Sequence, residues 1–193
     1  MKKILLLLST LFLLLSVQSQ EVWLTERLDF EINENSKYKI EFQTRYNYFI
    51  YYDHTDVGYS YHLMKNLSLN TNLRLTRFYS DYNLKPHFSF DYNFNGIGIK
   101  PKIEFNINDS TIDVTYRTKL YFNAPITNKF YVYSATEWFI SNNTINKFRI
   151  YAGIQYKISN ADLILYYMKD ETYNNYYTET HIIGVSTIFY FKL

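Results

Sequence analysis

From Tyr38 to Tyr52, nearly every second residue is apolar or aromatic, and most of the residues between them are polar or charged. A period of two residues indicates a β-strand with one apolar face. Similar alternation recurs in about ten other segments and continues to the last residue. Strands of soluble proteins usually have about five or six residues, whereas a tilted membrane-spanning strand needs roughly nine to eleven. The segment lengths therefore favour a barrel that crosses a membrane.

We predict an all-β fold, an antiparallel up-and-down transmembrane β-barrel of about 10–12 strands. The strand-like segments are 22–33, 38–52, 56–64, 67–79, 85–94, 97–107, 111–123, 129–140, 147–158, 162–170 and 178–193. These are eleven segments, but bacterial single-chain barrels have even strand numbers. The parity leaves two alternatives. Either segment 22–33 lies in the lumen or across one end, leaving ten strands, or one segment conceals a second strand, giving twelve.

Short polar connections separate the segments and suggest an orientation. Asn95-Gly96 is the strongest hairpin signal, because both residue types tolerate the positive φ of a type I′ turn. With the C-terminus in the periplasm, we expect periplasmic turns at 34–37, 64–66, 95–96, 124–128 and 159–161. The external loops then fall at 53–55, 80–84, 108–110, 141–146 and 171–177. All are short, which argues against a large external recognition surface.

The N-terminus has the organisation of a secretion signal. Lys2 and Lys3 precede an apolar run, and small residues follow it. We predict a signal peptide at 1–19, one barrel domain at 20–193, and the outer membrane of a diderm bacterium as the destination. The whole sequence has 20 Lys plus Arg and 18 Asp plus Glu. Without Lys2 and Lys3 the mature chain has 18 of each sign, so its net charge is near zero. A basic surplus is therefore missing, and we expect no nucleic-acid partner.

Large aromatic residues on the apolar face are expected to form two interfacial girdles. The periplasmic girdle would contain Tyr38, Phe94, Phe122, Phe130, Tyr156, Phe189 and Phe191, and the outer girdle Tyr52, Phe88, Trp138 and Phe148. The C-terminal strand resembles the outer-membrane signature, although it ends in Leu193 where an aromatic is usual. We expect a monomer that contacts outer-membrane lipid and engages the barrel assembly machinery through this strand. A secreted soluble barrel of the lipocalin kind, with its apolar face inward, is the alternative.

Several short motifs resemble the bacterial outer-membrane barrel family catalogued as domain of unknown function 2490. They are Trp23, Arg45, the run from Tyr116 to Leu120, Ala124-Pro125, Glu137-Trp138-Phe139, Arg149 and Gly153. The resemblance covers nearly the whole mature chain. It implies a porin-like barrel in the outer membrane and supplies no reaction.

Six charged residues on the polar face are expected to converge near mid-barrel. Each lies about seven to ten residues from its periplasmic turn, so similarly tilted strands bring them to one level. This charge belt comprises Arg45, Arg74, Glu104, Arg117, Glu137 and Arg149. It predicts either a constriction that favours anions, because Arg outnumbers Glu four to two, or a lumen closed by Arg–carboxylate pairs.

An enzymatic function is the further alternative. His87, Ser89 and Asp91 share a face near the predicted outer rim, where a lipid hydrolase could hold a serine–histidine site, and Ser60 with His62 offers a similar pair. Residues two apart on a strand are roughly 7 Å apart, too far for a direct nucleophile–base hydrogen bond without favourable rotamers. His54 and His181 are expected in loops or at the rim. We assign no catalytic residue, cofactor or metal site from the sequence.

Overall fold

A computed structural model describes residues 20–47, 51–78, 81–107, 111–173 and 176–193. The predicted signal peptide at 1–19 lies outside these described residues. No helix in the described part of the chain is long and apolar enough to cross a membrane.

The described residues form eleven strands in one closed barrel. The strands are β1 (Glu21–Asn33), β2 (Ser36–Tyr46), β3 (Tyr51–Met64), β4 (Leu67–Phe78), β5 (Asp81–Phe94), β6 (Ile97–Ile107), β7 (Ile112–Pro125), β8 (Phe130–Ser141), β9 (Thr144–Ile158), β10 (Ala161–Thr172) and β11 (Thr178–Lys192). Each strand pairs antiparallel with the next one along the chain. The predicted all-β barrel fold is confirmed.

The barrel closes through a parallel pair between its first and last strands. In this seam Glu21 faces Ile182 and Glu31 faces Lys192. Both alternatives drawn from parity are therefore wrong, because β1 is a wall strand and the described residues form eleven strands and no twelfth. Strands that alternate in direction leave the first and last pointing the same way whenever their number is odd, so closure has to be parallel.

An odd number of strands also places the two chain ends at opposite mouths. We call the end where β1 begins the N-terminal mouth and the end where β11 finishes the C-terminal mouth. The C-terminal mouth carries the turns at 34–35, 65–66, 95–96, 126–129 and 159–160, as the sequence predicted within a residue or two. Positive φ values at Asn95 (50°) and Gly96 (84°) confirm the predicted hairpin. A second turn at the other mouth has positive φ at both Asn142 (51°) and Asn143 (60°).

The sequence prediction fails at the connection between β2 and β3, at the N-terminal mouth. The alternating run 38–52 spans two strands, since β2 ends at Tyr46 and β3 begins at Tyr51. Tyr46 pairs with Tyr51 and Arg45 with Tyr52, so even-numbered residues face outward on β2 and inward on β3. The predicted loop at 53–55 is wrong, and His54 lies within β3 at 3 % exposure. The apolar alternation of the sequence continues through the connection between β2 and β3. It therefore gives no sign that the outward-facing residues change from even to odd numbers there.

The outer surface of the barrel is a broad apolar band. Phe42, Leu73 and Tyr116 are 46 %, 45 % and 53 % exposed, and similar residues follow on the other strands. Ring pairs join neighbouring strands, with centroids 4.7 Å apart for Phe130–Tyr156, 5.6 Å for Trp138–Phe148 and 5.3 Å for Phe30–Phe191. Glu26 on β1 interrupts the band between Phe42 and Thr187.

Two members of the predicted outer girdle are misplaced. Tyr52 points into the lumen, where its ring contacts Arg45. Phe88 lies near the middle of β5, because this strand begins at Asp81, four residues earlier than predicted. Trp138 and Phe148 do face each other near the N-terminal mouth.

Candidate functional site in the barrel lumen

The register places all six residues of the predicted belt on the inner face of the barrel. Arg45 lies on β2, Arg74 on β4, Glu104 on β6, Arg117 on β7, Glu137 on β8 and Arg149 on β9. The outward neighbours of these residues belong to the apolar band. The interior therefore combines a charged lining with an exterior that has almost no charge in its middle.

Arg117 bridges two carboxylates. Its Nη1 donates to Glu104 Oε2 at 3.0 Å, and its Nη2 and Nε both donate to Glu137 Oε1, at 2.8 and 3.2 Å. Glu137 also accepts a hydrogen bond from the Tyr151 hydroxyl at 2.8 Å, and its side chain is almost entirely buried. A buried carboxylate with three donors is strongly held, because hydrogen bonds to ionised groups are the stronger ones.

Two other arginines pair with aspartates that the sequence analysis missed. Arg74 donates to both oxygens of Asp56, at 2.9 and 2.7 Å, in the two-pronged geometry of guanidinium and carboxylate. Arg149 donates to Asp170 at 3.0–3.1 Å. The four-to-two excess of Arg therefore becomes four to four. Asp56 and Asp170 face their partners directly across neighbouring strands, and that register could not be derived from the sequence.

Arg45 is bound differently, between two rings. Its guanidinium carbon lies 3.8 Å from the Trp23 ring centroid and 4.2 Å from that of Tyr52. The guanidinium carbon of Arg149 also lies over the Trp23 ring, 5.3 Å from its centroid. Such contacts stabilise by about 0.5–2 kcal/mol each, more when water is excluded.

These contacts continue along the inner wall on β9, β8 and β7. Phe139 lies 4.7 Å from the Arg149 guanidinium and 4.4 Å from that of Arg117. Rings and guanidinium groups thus alternate in one row, which we call the cation–π ladder: Tyr52, Arg45, Trp23, Arg149, Phe139 and Arg117. The ladder runs nearer the N-terminal mouth, because Trp23 is the third residue of β1 and Tyr52 the second of β3.

An apolar cluster fills the lumen beside the closure seam. It comprises Trp23, Ala135, Tyr151, Met168 and Ile182. Met168 is completely buried. The cluster and the ladder share Trp23, so the charged row and the apolar packing are joined through one side chain.

Beneath the ladder lies a cavity of about 300 Å³. Nine of the residues that line it are Lys or Arg, and three are Asp or Glu. A second cavity of about 200 Å³ shares Arg27, Lys39, Asn72 and Lys100 with the first. It extends to His62 and Ser68, next to the turn at 65–66. The charged interior is therefore continuous toward the C-terminal mouth.

One group inside the lumen has the spacing of metal ligands. Ligand atoms of Glu41, His54 and Asp56 lie within 4.8 Å of one another. Both oxygens of Asp56 already accept hydrogen bonds from Arg74, and Lys39 lies 3.9 Å from Glu41. The two carboxylates are thus neutralised by neighbouring side chains, and a metal ion would have to displace Arg74.

The residues considered for hydrolysis lie inside the barrel and not at its rim. His87 and Ser89 are each 2 % exposed in the middle of β5, and Asp91 accepts a hydrogen bond from the Tyr121 hydroxyl at 2.7 Å. The rim placement was wrong, because β5 extends further toward the N-terminal mouth than predicted. His62 pairs with Ser68, at 2.7 Å, rather than with Ser60. His181 lies near the N-terminal mouth beside Tyr167, as expected.

Comparison with known proteins identifies the family. The family described as "Protein of unknown function (DUF2490)" matches residues 20–178, which is most of the chain and includes every residue of the belt. The chain belongs to this family. No curated protein matches it. Membership adds no activity, since the family description names none, so the function has to be argued from the lumen.

Proposed function

We propose that this DUF2490 protein is an outer-membrane β-barrel, porin-like in class, whose lumen is closed at rest. In this proposal the ion pairs and the cation–π ladder act as a plug that limits the passage of small solutes. The chain is delivered after cleavage of the signal peptide at 1–19 and works as a monomer. The barrel assembly machinery and outer-membrane lipid are its proposed partners.

The distribution of polarity supports the membrane location. Soluble monomers rarely expose a contiguous apolar patch larger than a few hundred Å², yet here large apolar side chains on all strands face outward. Charged side chains such as Asp56, Glu137 and Arg149 are buried inside instead. This arrangement is the reverse of a soluble lipocalin, and it favours lipid outside and a polar lumen inside.

The observation that carries the closed state is the row of contacts across the lumen. Arg149 on β9 reaches the ring of Trp23 on β1 over the inner faces of two intervening strands. Arg117 is fixed by carboxylates on both neighbouring strands. A water-filled pathway would need several of these short contacts to separate together.

Open passage of small anions is the competing proposal. It draws support from the nine basic residues around the cavity. A rim lipid hydrolase receives less support, because His87 and Ser89 are buried in the lumen, out of reach of lipid.

Conductance through a planar bilayer separates the first two proposals. We expect near-zero current from the refolded wild-type protein. Arg117→Ala and Glu137→Ala should each produce measurable channels, because each removes a bridge in the plug. Lys65→Ala, in an exposed turn at the C-terminal mouth, is the matched control and should leave the current near zero. A large anion-selective current from the wild type, or no current from either plug variant, would contradict the closed state.

A further inference from the structure

Three of the four lysines that line the cavity beneath the ladder lie together on β6 and β7. Lys100 on β6 pairs directly with Lys119 on β7, and Lys102 pairs directly with Arg117. All four line the same cavity. Directly opposed residues have Cβ atoms about 4.5–5.5 Å apart, and like charges in that position destabilise a sheet. Two adjacent like-charge pairs facing one cavity point to an anion that offsets the repulsion.

The lysines also retain unused hydrogen-bonding capacity. Lys100 Nζ lies 3.5 Å from Asp91, and Lys102 Nζ lies 3.7 Å from Glu104, both longer than an ordinary charged hydrogen bond. Within the described part of the chain, Lys119 has no carboxylate within 4 Å. Its ammonium lies 4.5 Å from the Tyr151 ring centroid and hydrogen-bonds the Tyr133 side chain, which leaves two of its three protons for another acceptor. Arg117, by contrast, is already committed to two carboxylates.

A buried hydroxyl adds a neutral donor to this group. Ser89 pairs directly with Lys102, lines the cavity and is 2 % exposed. Its Oγ has no hydrogen-bond partner among the described residues. Buried polar atoms are normally paired, so the unpaired hydroxyl is a second and independent indication of a missing acceptor.

The residue types indicate which anion fits. Planar carboxylates are best matched by the fork of a guanidinium, whereas a lysine ammonium acts as a point charge and is a common phosphate ligand. The available donors on β5, β6 and β7 are ammonium groups and a hydroxyl, because the guanidinium of Arg117 is occupied by two carboxylates. A volume of about 300 Å³ is at the lower end for small-molecule sites, which limits the guest to a small organic phosphate.

We propose that the lumen contains a binding site for a small soluble phosphate monoester, formed by Lys100, Lys102, Lys119 and Ser89. The guest enters from the C-terminal mouth through the second cavity, because the cation–π ladder closes the other side. The site rests on the lumen geometry alone. Only the identity of the compartment it faces, the periplasm, rests on the proposed function.

Isothermal titration of the refolded barrel in phosphate-free detergent tests the site, with glycerol 3-phosphate as the probe. We expect saturable binding that weakens at least tenfold in Lys119→Gln and in Lys100→Gln, because each removes a charged contact. Lys65→Gln removes the same charge from an exposed turn and should bind like the wild type. Succinate, a dicarboxylate of similar charge, should bind more weakly.

Three results would overturn the site. The first is that a wild-type protein with intact β-sheet circular dichroism binds no probe. The second is that the lysine variants bind as tightly as Lys65→Gln. The third is binding of a short-chain phosphatidic acid but not of glycerol 3-phosphate, which would assign the site to lipid headgroups. If the lysine variants fail to assemble, Ser89→Ala removes only a hydroxyl and should weaken binding about fivefold.

Thiol labelling tests the side of entry separately. The chain has no cysteine, so Asn72→Cys, which lines both cavities, gives a clean signal. We expect an impermeant reagent to label it only after the outer membrane is permeabilised, and phosphate to protect it. Ser141→Cys at the N-terminal mouth should be labelled in intact cells. Labelling of Asn72→Cys in intact cells would overturn the entry route and the proposed orientation, but leave the binding result unaffected.

Discussion

Two regions of the lumen hold the barrel together by different means. The ion-pair layer consists of Asp56, Arg74, Glu104, Arg117, Glu137, Arg149 and Asp170, and its contacts are charged hydrogen bonds of about 2.7–3.2 Å. The apolar cluster of Trp23, Ala135, Tyr151, Met168 and Ile182 has close packing instead. The stability of the ion-pair layer depends on each charge having its partner, whereas the stability of the apolar cluster depends on side chains that leave no void.

The positions of the two regions follow from the strands that meet there. The apolar cluster lies beside the parallel seam, where Trp23 belongs to the first strand and Ile182 to the last. The ion-pair layer spreads from β3 to β10, where every neighbouring pair is antiparallel. Removing a charge should therefore leave an unpaired partner, whereas removing a methyl group beside the seam should leave a void.

The largest effect is expected where the ion-pair layer is most connected. Glu137→Ala leaves Arg117 and Arg149 short of an acceptor, and breaking a buried pair in this way costs about 3–5 kcal/mol. Urea unfolding of the barrel in lipid vesicles measures the loss. The double variant Arg117→Met/Glu137→Met should recover at least about 1 kcal/mol, because the buried Arg117 charge is removed with its partner and Glu104, which also loses Arg117, keeps Lys102 at 3.7 Å. A double variant less stable than the single one would mean that shape, not charge pairing, dominates this region.

Next in size is the loss of packing in the apolar cluster. Met168→Ala should cost about 3 kcal/mol, because the side chain is completely buried and leaves a cavity. Met168→Leu conserves volume and should cost less than about 1.5 kcal/mol in the same assay. Equal costs for the two variants would show that the cluster does not rely on filled volume.

Substitutions at two glycines compare the same two regions, with smaller expected losses of stability. A Cβ at Gly184 would lie 1.9 Å from the Tyr166 ring, which packs against the apolar cluster, so Gly184→Ala should cost about 2 kcal/mol. A Cβ at Gly58 would lie equally close to the Asn72 amide, whose side chain can rotate away into the cavity. Gly58→Ala should therefore cost clearly less than Gly184→Ala. The reverse order in urea midpoints would contradict the distinction between a rigid and an adaptable lining.

The smallest expected effect concerns the cation–π ladder that joins the two regions. Tyr52→Phe keeps the ring over Arg45 and loses only a 3.5 Å hydroxyl contact with Thr76, so we expect a cost of at most about 0.5 kcal/mol. Tyr52→Ala removes the ring and should cost more. If Phe and Ala behave alike at this position, the ring does not stabilise Arg45.

Much of the fold could be predicted from the sequence, because strands and tight turns are local. The segment 97–107 agrees with β6 at both ends, and Asn95-Gly96 marks its hairpin. The failure at 38–52 has a local cause as well. Its apolar alternation continues from one strand into the next, although the outward face changes parity at the connection.

The site was less accessible to sequence reasoning. The six charged residues could be chosen from their distance to the turns, but their partners could not. Arg74 pairs with Asp56 and Arg149 with Asp170 because the register of neighbouring strands sets them opposite each other. The lysine cluster was missed for the same reason, since Lys100 and Lys119 become neighbours only through the pairing of β6 with β7.

The sequence by itself determined which residues form strands and, with the exception at β3, which of their faces is apolar. Both properties depend on side chains a few positions apart and on the two-residue repeat of an extended backbone. Only the tertiary structure decided that eleven strands close through a parallel seam, that three of the four belt arginines pair with carboxylates while Arg45 lies between two rings, and that Lys100, Lys102 and Lys119 line one cavity. These features depend on register and closure, which join residues far apart in the chain.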